Sequence, residues 1–326
     1  MENITKETQE IAEIIEKYGP IRSNEIAKML NISLKTVYKH LKRLLDDDFI
    51  VKTGETPVVF YALREKSAEK HIESDKDDDI LDKNYIYVSP SGEIKRGIEG
   101  FQEWCQKNKF DYQKEKKQFI KNLKEFQKLK KDGIISAKKS ILSGKKDLNL
   151  DNIFFSDFYT SGHFGKTKLG QLVYLGKSSQ NKKLIREIVK IITPSVAGII
   201  KKYDIKSVCF IPPTIDRKIQ FMDVLKKELK LDLREIKAVK VPSDTKIPQK
   251  TLRKLEDRII NANKTIAINP NQELKSNVLI VDDATGSGAT LNETAGKIRQ
   301  FAKGKIKIIG YSVVGSYKGF DVISEV

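Results

Sequence analysis

The run Val278-Leu279-Ile280-Val281-Asp282-Asp283-Ala284-Thr285-Gly286-Ser287-Gly288-Ala289-Thr290 restricts this chain more than any other stretch. Four consecutive apolar residues read as a strand buried on both faces, the pattern of parallel sheets. Two carboxylates follow at the strand's carboxyl end, where open α/β sheets place their ligands. A loop of small residues comes next, and then a helical stretch over 291–301. Small residues let backbone N–H groups close round an anion, and a helix N-terminus adds a favourable dipole. Carboxylates suited to sugar hydroxyls therefore stand beside a loop suited to a phosphate.

From about Asp151 onward, strand-like and helix-like segments alternate. Residues 153–159, 169–175, 208–211, 236–241, 265–268, 278–281 and 306–313 read as strands, and 182–202 and 220–229 as helices. Such alternation indicates an α/β domain with a mostly parallel, doubly wound sheet. The strand over 208–211 runs into Pro212-Pro213-Thr214-Ile215-Asp216-Arg217-Lys218, whose adjacent cations suit a pyrophosphate.

The acidic-pair run resembles the 5-phosphoribosyl-1-pyrophosphate (PRPP) motif of type I phosphoribosyltransferases: apolar strand, two acids, then a loop closing in Gly-x-Thr. The segment Thr245-Lys246-Ile247-Pro248-Gln249-Lys250-Thr251-Leu252, followed by Arg258-Ile259-Ile260-Asn261, resembles the Thr…Gln-x-x-Leu…Arg-x-x-Asn segment of ComF-like phosphoribosyltransferases. Two of its spacings are one residue longer here. The resemblance covers about 151–326. It implies that Asp282 and Asp283 are the catalytic acids, holding ribose hydroxyls directly or through Mg²⁺ and water. It further implies that Thr285, Gly286, Ser287, Gly288, Ala289 and Thr290 cradle the 5′-phosphate. Arg217 and Lys218 stand where the family's pyrophosphate loop lies, although the small residue of that loop is absent. Lys246, Gln249, Arg253 and Arg258 become candidate contacts of a loop that closes over PRPP. The implied cofactor is Mg²⁺, carried mainly by pyrophosphate and ribose oxygens, as its octahedral chemistry favours. Paired acids also end a strand in bacterial receiver domains, but on their first strand, with most of a domain to follow. An ordinary strand–loop–helix crossover is the plain alternative.

Residues 4–63 have a different rhythm. Ile11, Ile14, Ile15 and Tyr18 give one helix an apolar face, stopped by Gly19-Pro20. A second helix follows Ser23, with Ile26, Ala27 and Leu30 inward. Asn31-Ile32-Ser33 forms a turn with Ser33 as N-cap. A third helix over 34–45 buries Val37, Leu41 and Leu44, and offers Lys35, Thr36, Tyr38, Lys39, Lys42 and Arg43 on its other face. Strands over 49–52 and 58–63 flank the turn Thr53-Gly54-Glu55-Thr56-Pro57. This order resembles bacterial winged helix-turn-helix regulators. The resemblance implies DNA contact, with the third helix in the major groove and the hairpin on the backbone. Lys39, Lys42 and Arg43 then suit phosphates, and Lys35, Thr36 and Tyr38 base edges. It also implies a homodimer. A winged helix used for protein docking is the competing reading.

Residues 67–83 have the Lys, Glu and Asp composition of a linker. In 84–150, Tyr85-Ile86-Tyr87-Val88 and Ser89-Pro90-Ser91-Gly92 read as strand and turn, and 98–131 as a long helical connector. Phe119, Leu123 and Phe126 form one stripe of that connector, with Phe101 and Trp104 in the same packing layer. It suits a dimerisation arm, a spacer or a basic face for nucleic acid. A formal net charge of +17 over 326 residues favours polyanion partners. Cys105 and Cys209 sit in no metal or redox spacing, and Cys209 falls within a strand. His163 has no catalytic partner nearby in sequence. No apolar stretch is long enough to span a bilayer and no signal core opens the chain, so the expectation is a cytoplasmic protein without membrane contact. The organisation is thus 1–66 winged helix, 67–83 linker, 84–150 hairpin and helical connector, 151–326 phosphoribosyltransferase-like domain. Together the resemblances imply a DNA-binding regulator responsive to PRPP or a phosphoribosylated nucleotide, as in Gram-positive purine-operon repressors. The alternative is an active phosphoribosyltransferase serving as an antiviral effector with a nucleoprotein partner, as in similar pairings beside retron reverse transcriptases.

Overall fold

The computed structural model describes residues 5–47, 49–55, 58–63, 76–138, 148–241, 260, 264–268 and 274–316. The chain divides into two units, Met1–Glu73 and Ser74–Val326. Among the described residues no helix is long and apolar enough to cross a membrane.

The first unit is α1 (Lys6–Tyr18), α2 (Ser23–Leu30), α3 (Leu34–Asp46), β1 (Ile50–Glu55) and β2 (Val58–Leu63). Ile11, Ile15, Ile26, Val37, Leu41, Leu44, Ile50 and Tyr61 close its core, each buried aliphatic contributing roughly 1.5–3 kcal/mol. Gly19, at φ 70°, ends α1 and donates its N–H to Ile15. Tyr18, expected on the inner face, is exposed, with the Lys17 ammonium over its ring: the chain turns away immediately after it. Ser33 caps α3 by accepting the Thr36 N–H at 3.1 Å. The hairpin is longer than the sequence suggested. Its strands pair out to Glu55 and Val58, so residues 53–55 are strand rather than turn.

The second unit opens with α4 (Lys76–Asn84), inside the stretch expected to be linker. Asp77, Asp78 and Asp79 occupy its first turn, where the helix dipole favours them. Leu81 is fully buried and Lys116 reaches Asp78 at 2.5 Å. A hairpin, β3 (Ile86–Val88) and β4 (Ile94–Arg96), leads into α5 (Gly97–Asn108) and α6 (Tyr112–Leu129). The expected single helix is broken at Lys109, which adopts φ 57°. The break folds α6 back so that Phe101, Trp104, Phe119, Tyr85 and Phe164 form one aromatic core. The connector is therefore packed into its own unit through this core. β5 (Lys130–Lys131) and β6 (Ile134–Ser136) join it to the main sheet.

That sheet takes in β7 (Asn152–Phe158), β8 (Ile205–Phe210), β9 (Arg234–Glu235), β12 (Asn277–Thr285) and β13 (Ile308–Gly315), in the order β5-β6-β7-β13-β12-β8-β9. Pairing is parallel from β7 through β9 and antiparallel at the β5–β6–β7 edge. β10 (Ala238–Lys240) and β11 (Ile266–Ile268) form a separate antiparallel pair. The strand expected over 236–241 is present, shortened, as β10, and it belongs to this separate pair rather than to the main sheet, whose edge is β9.

One face of the sheet is covered by α7 (Lys168–Ser178), α8 (Lys182–Tyr203) and α9 (Phe221–Leu229). Leu172, Ile188 and Leu225 meet Leu279, Val281 and Tyr311 there. The other carries α10 (Ala289–Arg299), with Leu291 and Ile298 against Val278, Ile280 and Ile308. Alternate residues of β12 thus feed opposite layers. Residues 169–175, expected as a strand, are helix. Thr167 caps α7 by accepting the Gly170 N–H, and Leu169, Leu172, Val173 and Gly176 fall on one helical face.

Candidate functional site

β12 carries the acidic pair, and it runs further than its apolar residues suggested. Asp282 pairs with Ser312 and Thr285 with Gly315 of β13, so both acids lie within the strand. Consecutive strand side chains point to opposite faces. Asp283 is 9% exposed and accepts from the Lys177 Nζ of α7 at 2.6 Å. Asp282 is partly exposed and accepts the Asp283 N–H at 2.8 Å. Its charge is felt by Lys240 of β10: burial lowers the Lys240 ammonium and Asp282 partly restores it. The Lys240 Nζ also donates to Thr265 Oγ1 at 3.2 Å. The two acids thus engage cations of opposite layers.

Past Thr285 the chain turns through Gly286, Ser287 and Gly288 into α10. Gly288 stands at φ 69° as the residue before the helix, a conformation that favours glycine. Ser287 is buried and its Oγ accepts the Ala289 N–H at 3.4 Å. The Ser316 N–H donates to the Thr285 carbonyl at 2.9 Å, fixing the loop to the end of β13. Thr290 lies in the first turn of the helix, and its carbonyl accepts from Thr294 Oγ1. The small residues and first turn of α10 form a compact rim at the positive end of the helix dipole.

The loop after β8 is tied to the same region. Arg217 donates through Nη1 to the carbonyl of Lys177, whose side chain holds Asp283; Lys218 is exposed. Lys177 therefore links the two loops singled out from sequence, and it was missed because 169–175 did not read as helix. Lys166 was missed too. Its ammonium lies 4.2 Å from the Tyr174 ring and 5.7 Å from that of Tyr159, with no carboxylate partner among the described residues. Burial lowers its affinity for a proton. Tyr174 and Lys177 lie three residues apart on α7 and share a face, so Lys166 and Lys177 belong to the α7 side of the acidic pair.

His163 has a partner that the sequence did not reveal: its Nε2 lies 2.8 Å from Glu115 Oε2. Its exposed ring packs on Phe164 and Trp104, at the edge of the aromatic core rather than at the acidic pair. Lys246, Gln249, Arg253 and Arg258 lie outside the described residues, as does the rest of the 245–258 segment. Among the described residues no three His, Cys, Asp or Glu side chains converge on a common point.

In the first unit, Lys35, Lys39 and Lys42 are exposed on α3. The Thr36 hydroxyl is engaged with Ser33 Oγ at 2.8 Å. Tyr38 is 51% exposed and accepts from Ser23 Oγ at 3.1 Å, leaving its ring face outward. The Arg43 Nε stands 4.0 Å from Asp47. His40, on the inner side of α3, is buried against Thr8 at 2.8 Å.

Residues 8–51 match the family described as winged helix-turn-helix DNA-binding. The first unit is accordingly a winged helix-turn-helix domain of the DNA-binding kind. No curated protein matches the chain. Among solved structures that match is the crystal structure of a purine phosphoribosyltransferase from Pyrococcus horikoshii Ot3. It is 18% identical, covers 42% of this chain and 94% of its own, and has a TM-score of 0.24. An overlay that loose does not define the second unit, which stands on its own geometry: a mixed α/β domain around a seven-stranded, mostly parallel sheet.

Proposed function

We propose that this chain is a nucleic-acid-binding protein whose α/β domain takes PRPP with Mg²⁺, and that this ligand sets the affinity of its winged helix for DNA. The observation that carries the reading is the succession of acidic pair, Gly-Ser-Gly turn and helix start at the carboxyl edge of a parallel sheet, with cations on both faces. The small-residue turn and the positive dipole end of α10 suit the 5′-phosphate. Asp282, the more open acid, suits the ribose hydroxyls, while Asp283 is committed to Lys177. Lys166 and Arg217 suit the pyrophosphate.

The donor set fits Mg²⁺ held through the ligand. Two carboxylates make no protein cage, and Mg²⁺ keeps water and phosphate ligands readily. When bound, the ion would neutralise pyrophosphate charge. The protein's own part would be to orient the ribose, fix both anionic ends and exclude water. The homodimer and the ComF-like relationship belong to this proposal as well.

The test is a titration of the full chain with PRPP and Mg²⁺, followed by DNA affinity with and without the ligand. We expect PRPP to bind and to change DNA affinity by about 5–150-fold, the usual range of coupling between sites. Asp282→Asn/Asp283→Asn should abolish the effect. Absence of PRPP binding to the wild-type chain would overturn the reading. Pyrophosphate release that disappears in the double variant would instead make the domain a transferase.

A further inference from the structure

The chain's positive charge is not where its winged helix is. Residues 1–73 carry 12 Lys and Arg against 13 Asp and Glu, whereas the remainder carries 49 against 31. Neutralised phosphates supply most of the affinity of a non-specific nucleic-acid contact, and the whole excess of cations lies in the second unit.

Within that unit, α6 concentrates lysines on one side. Lys114, Lys117, Lys121, Lys124 and Lys128 recur at intervals of three and four, which at 100° per residue confines them to an arc of about 80°. All five are exposed, as is Lys131 just beyond the helix end. The opposite side is buried through Lys116, Phe119 and Ile120. Lys124 stands 3.7 Å from Asp77. Lys114, Lys117, Lys121 and Lys128 have no carboxylate partner among the described residues. Of the acids on α6, Glu115 is turned to His163 and Glu125 is exposed at the border of the row.

Like charges three and four residues apart destabilise a helix. Here the helix is held by its buried face and by the Lys116–Asp78 pair, so the row persists without neutralisation. From Lys114 to Lys128 it extends roughly 21 Å at 1.5 Å per residue. Over that length one strand of a duplex presents about six phosphates. Linear charge therefore meets linear charge at similar density.

We infer that the lysine row of α6 is a second nucleic-acid contact, a sequence-independent surface for the phosphate backbone separate from the recognition helix. It does not depend on the PRPP reading. Its test is fluorescence anisotropy of the full chain on a random-sequence duplex and a single strand across a potassium chloride series. The variant is Lys114→Gln/Lys117→Gln/Lys121→Gln/Lys128→Gln. Removing four phosphate contacts should lower the slope of log affinity against log salt by about 3.6 on duplex, or about 2.8 on a single strand. Affinity at low salt should fall at least tenfold. The corresponding four-fold Lys→Arg variant should retain both slope and affinity, which separates lost charge from lost fold. An unchanged slope on both nucleic acids overturns the inference. So does a loss of binding confined to phosphatidylserine vesicles or to an acidic peptide, since either would assign the row to another partner.

Discussion

Removing the ammonium of Lys177 leaves the Asp283 carboxylate, 13% exposed at its side chain, without its counter-charge. Breaking one side of a buried pair costs more than the pair contributes, because the surviving charge stays desolvated. Lys177→Ala should therefore destabilise the protein by roughly 3 kcal/mol, and adding Asp283→Asn should recover much of that loss. A double-mutant cycle by urea denaturation checks it; additive losses would mean that the two side chains do not interact. The acid of this pair was legible because it follows an apolar strand. The lysine was not, because its partner lies 106 residues away and nothing local marks it. The cysteines show the converse. Cys209 read correctly as a core residue, and burial pushes its thiol up to about 12; burial, aided by Glu115 and Asp111, raises that of Cys105 to about 11. Both should stay protonated and inert to iodoacetamide at pH 8 in the folded chain, and react once it is unfolded. Because the folded values lie above the unfolded one of about 8.5, the native state holds these protons longer. Their contribution to stability is complete below that pH and is lost as pH rises toward 11 and 12. A thiol that alkylates in the native state would contradict the packing described.

At the scale of elements, the errors and successes of the sequence share one cause. Runs buried on both faces, such as Val278–Val281, announce themselves as strands. Leu169-Gly170-Gln171-Leu172-Val173-Tyr174-Leu175 is also nearly all apolar, and short apolar runs do not distinguish strand from buried helix. What decides is the Thr167 cap and the fit of Gly170 against the preceding strand end. A Cβ on Gly170 would stand 2.1 Å from the Tyr159 carbonyl oxygen, so backbone must yield. Gly170→Ala should cost about 2–3 kcal/mol, an overpacking penalty at its upper end. Gly198, in the middle of α8, has nothing within 4 Å of the same position. Gly198→Ala should therefore stabilise by up to about 1 kcal/mol through helix propensity. A urea midpoint that Gly170→Ala leaves unchanged or raises would deny the close approach there. α4 was hidden for another reason: its acidic first turn reads as linker composition until Leu81 is seen buried beneath it.

For the whole molecule, the sequence made the two folds legible and carried the uneven charge between them, but not which face of which helix displays the excess, because that needs the buried side of α6. Each unit closes its own core, Ile11 through Tyr61 in one and the two sheet faces with the aromatic cluster in the other. Separate cores unfold separately unless something couples them. Calorimetry should then resolve two transitions, and the two ligands of the proposed function should move different ones. At a hundred times its dissociation constant, a ligand adds about 2.7 kcal/mol to the unit that binds it. For a unit of the second one's size, each kcal/mol raises the midpoint by roughly 2–4 °C. PRPP with Mg²⁺ should therefore lift the α/β transition by about 5–10 °C, and DNA the winged-helix transition. If PRPP sets DNA affinity, the shift with both present must differ from the sum of the separate shifts by the coupling free energy, and the same amount must appear whichever ligand is added first. Additive shifts would leave two independent binding units on one chain and remove the regulatory link. A single transition that moves as one with either ligand would show instead that the units share their stability.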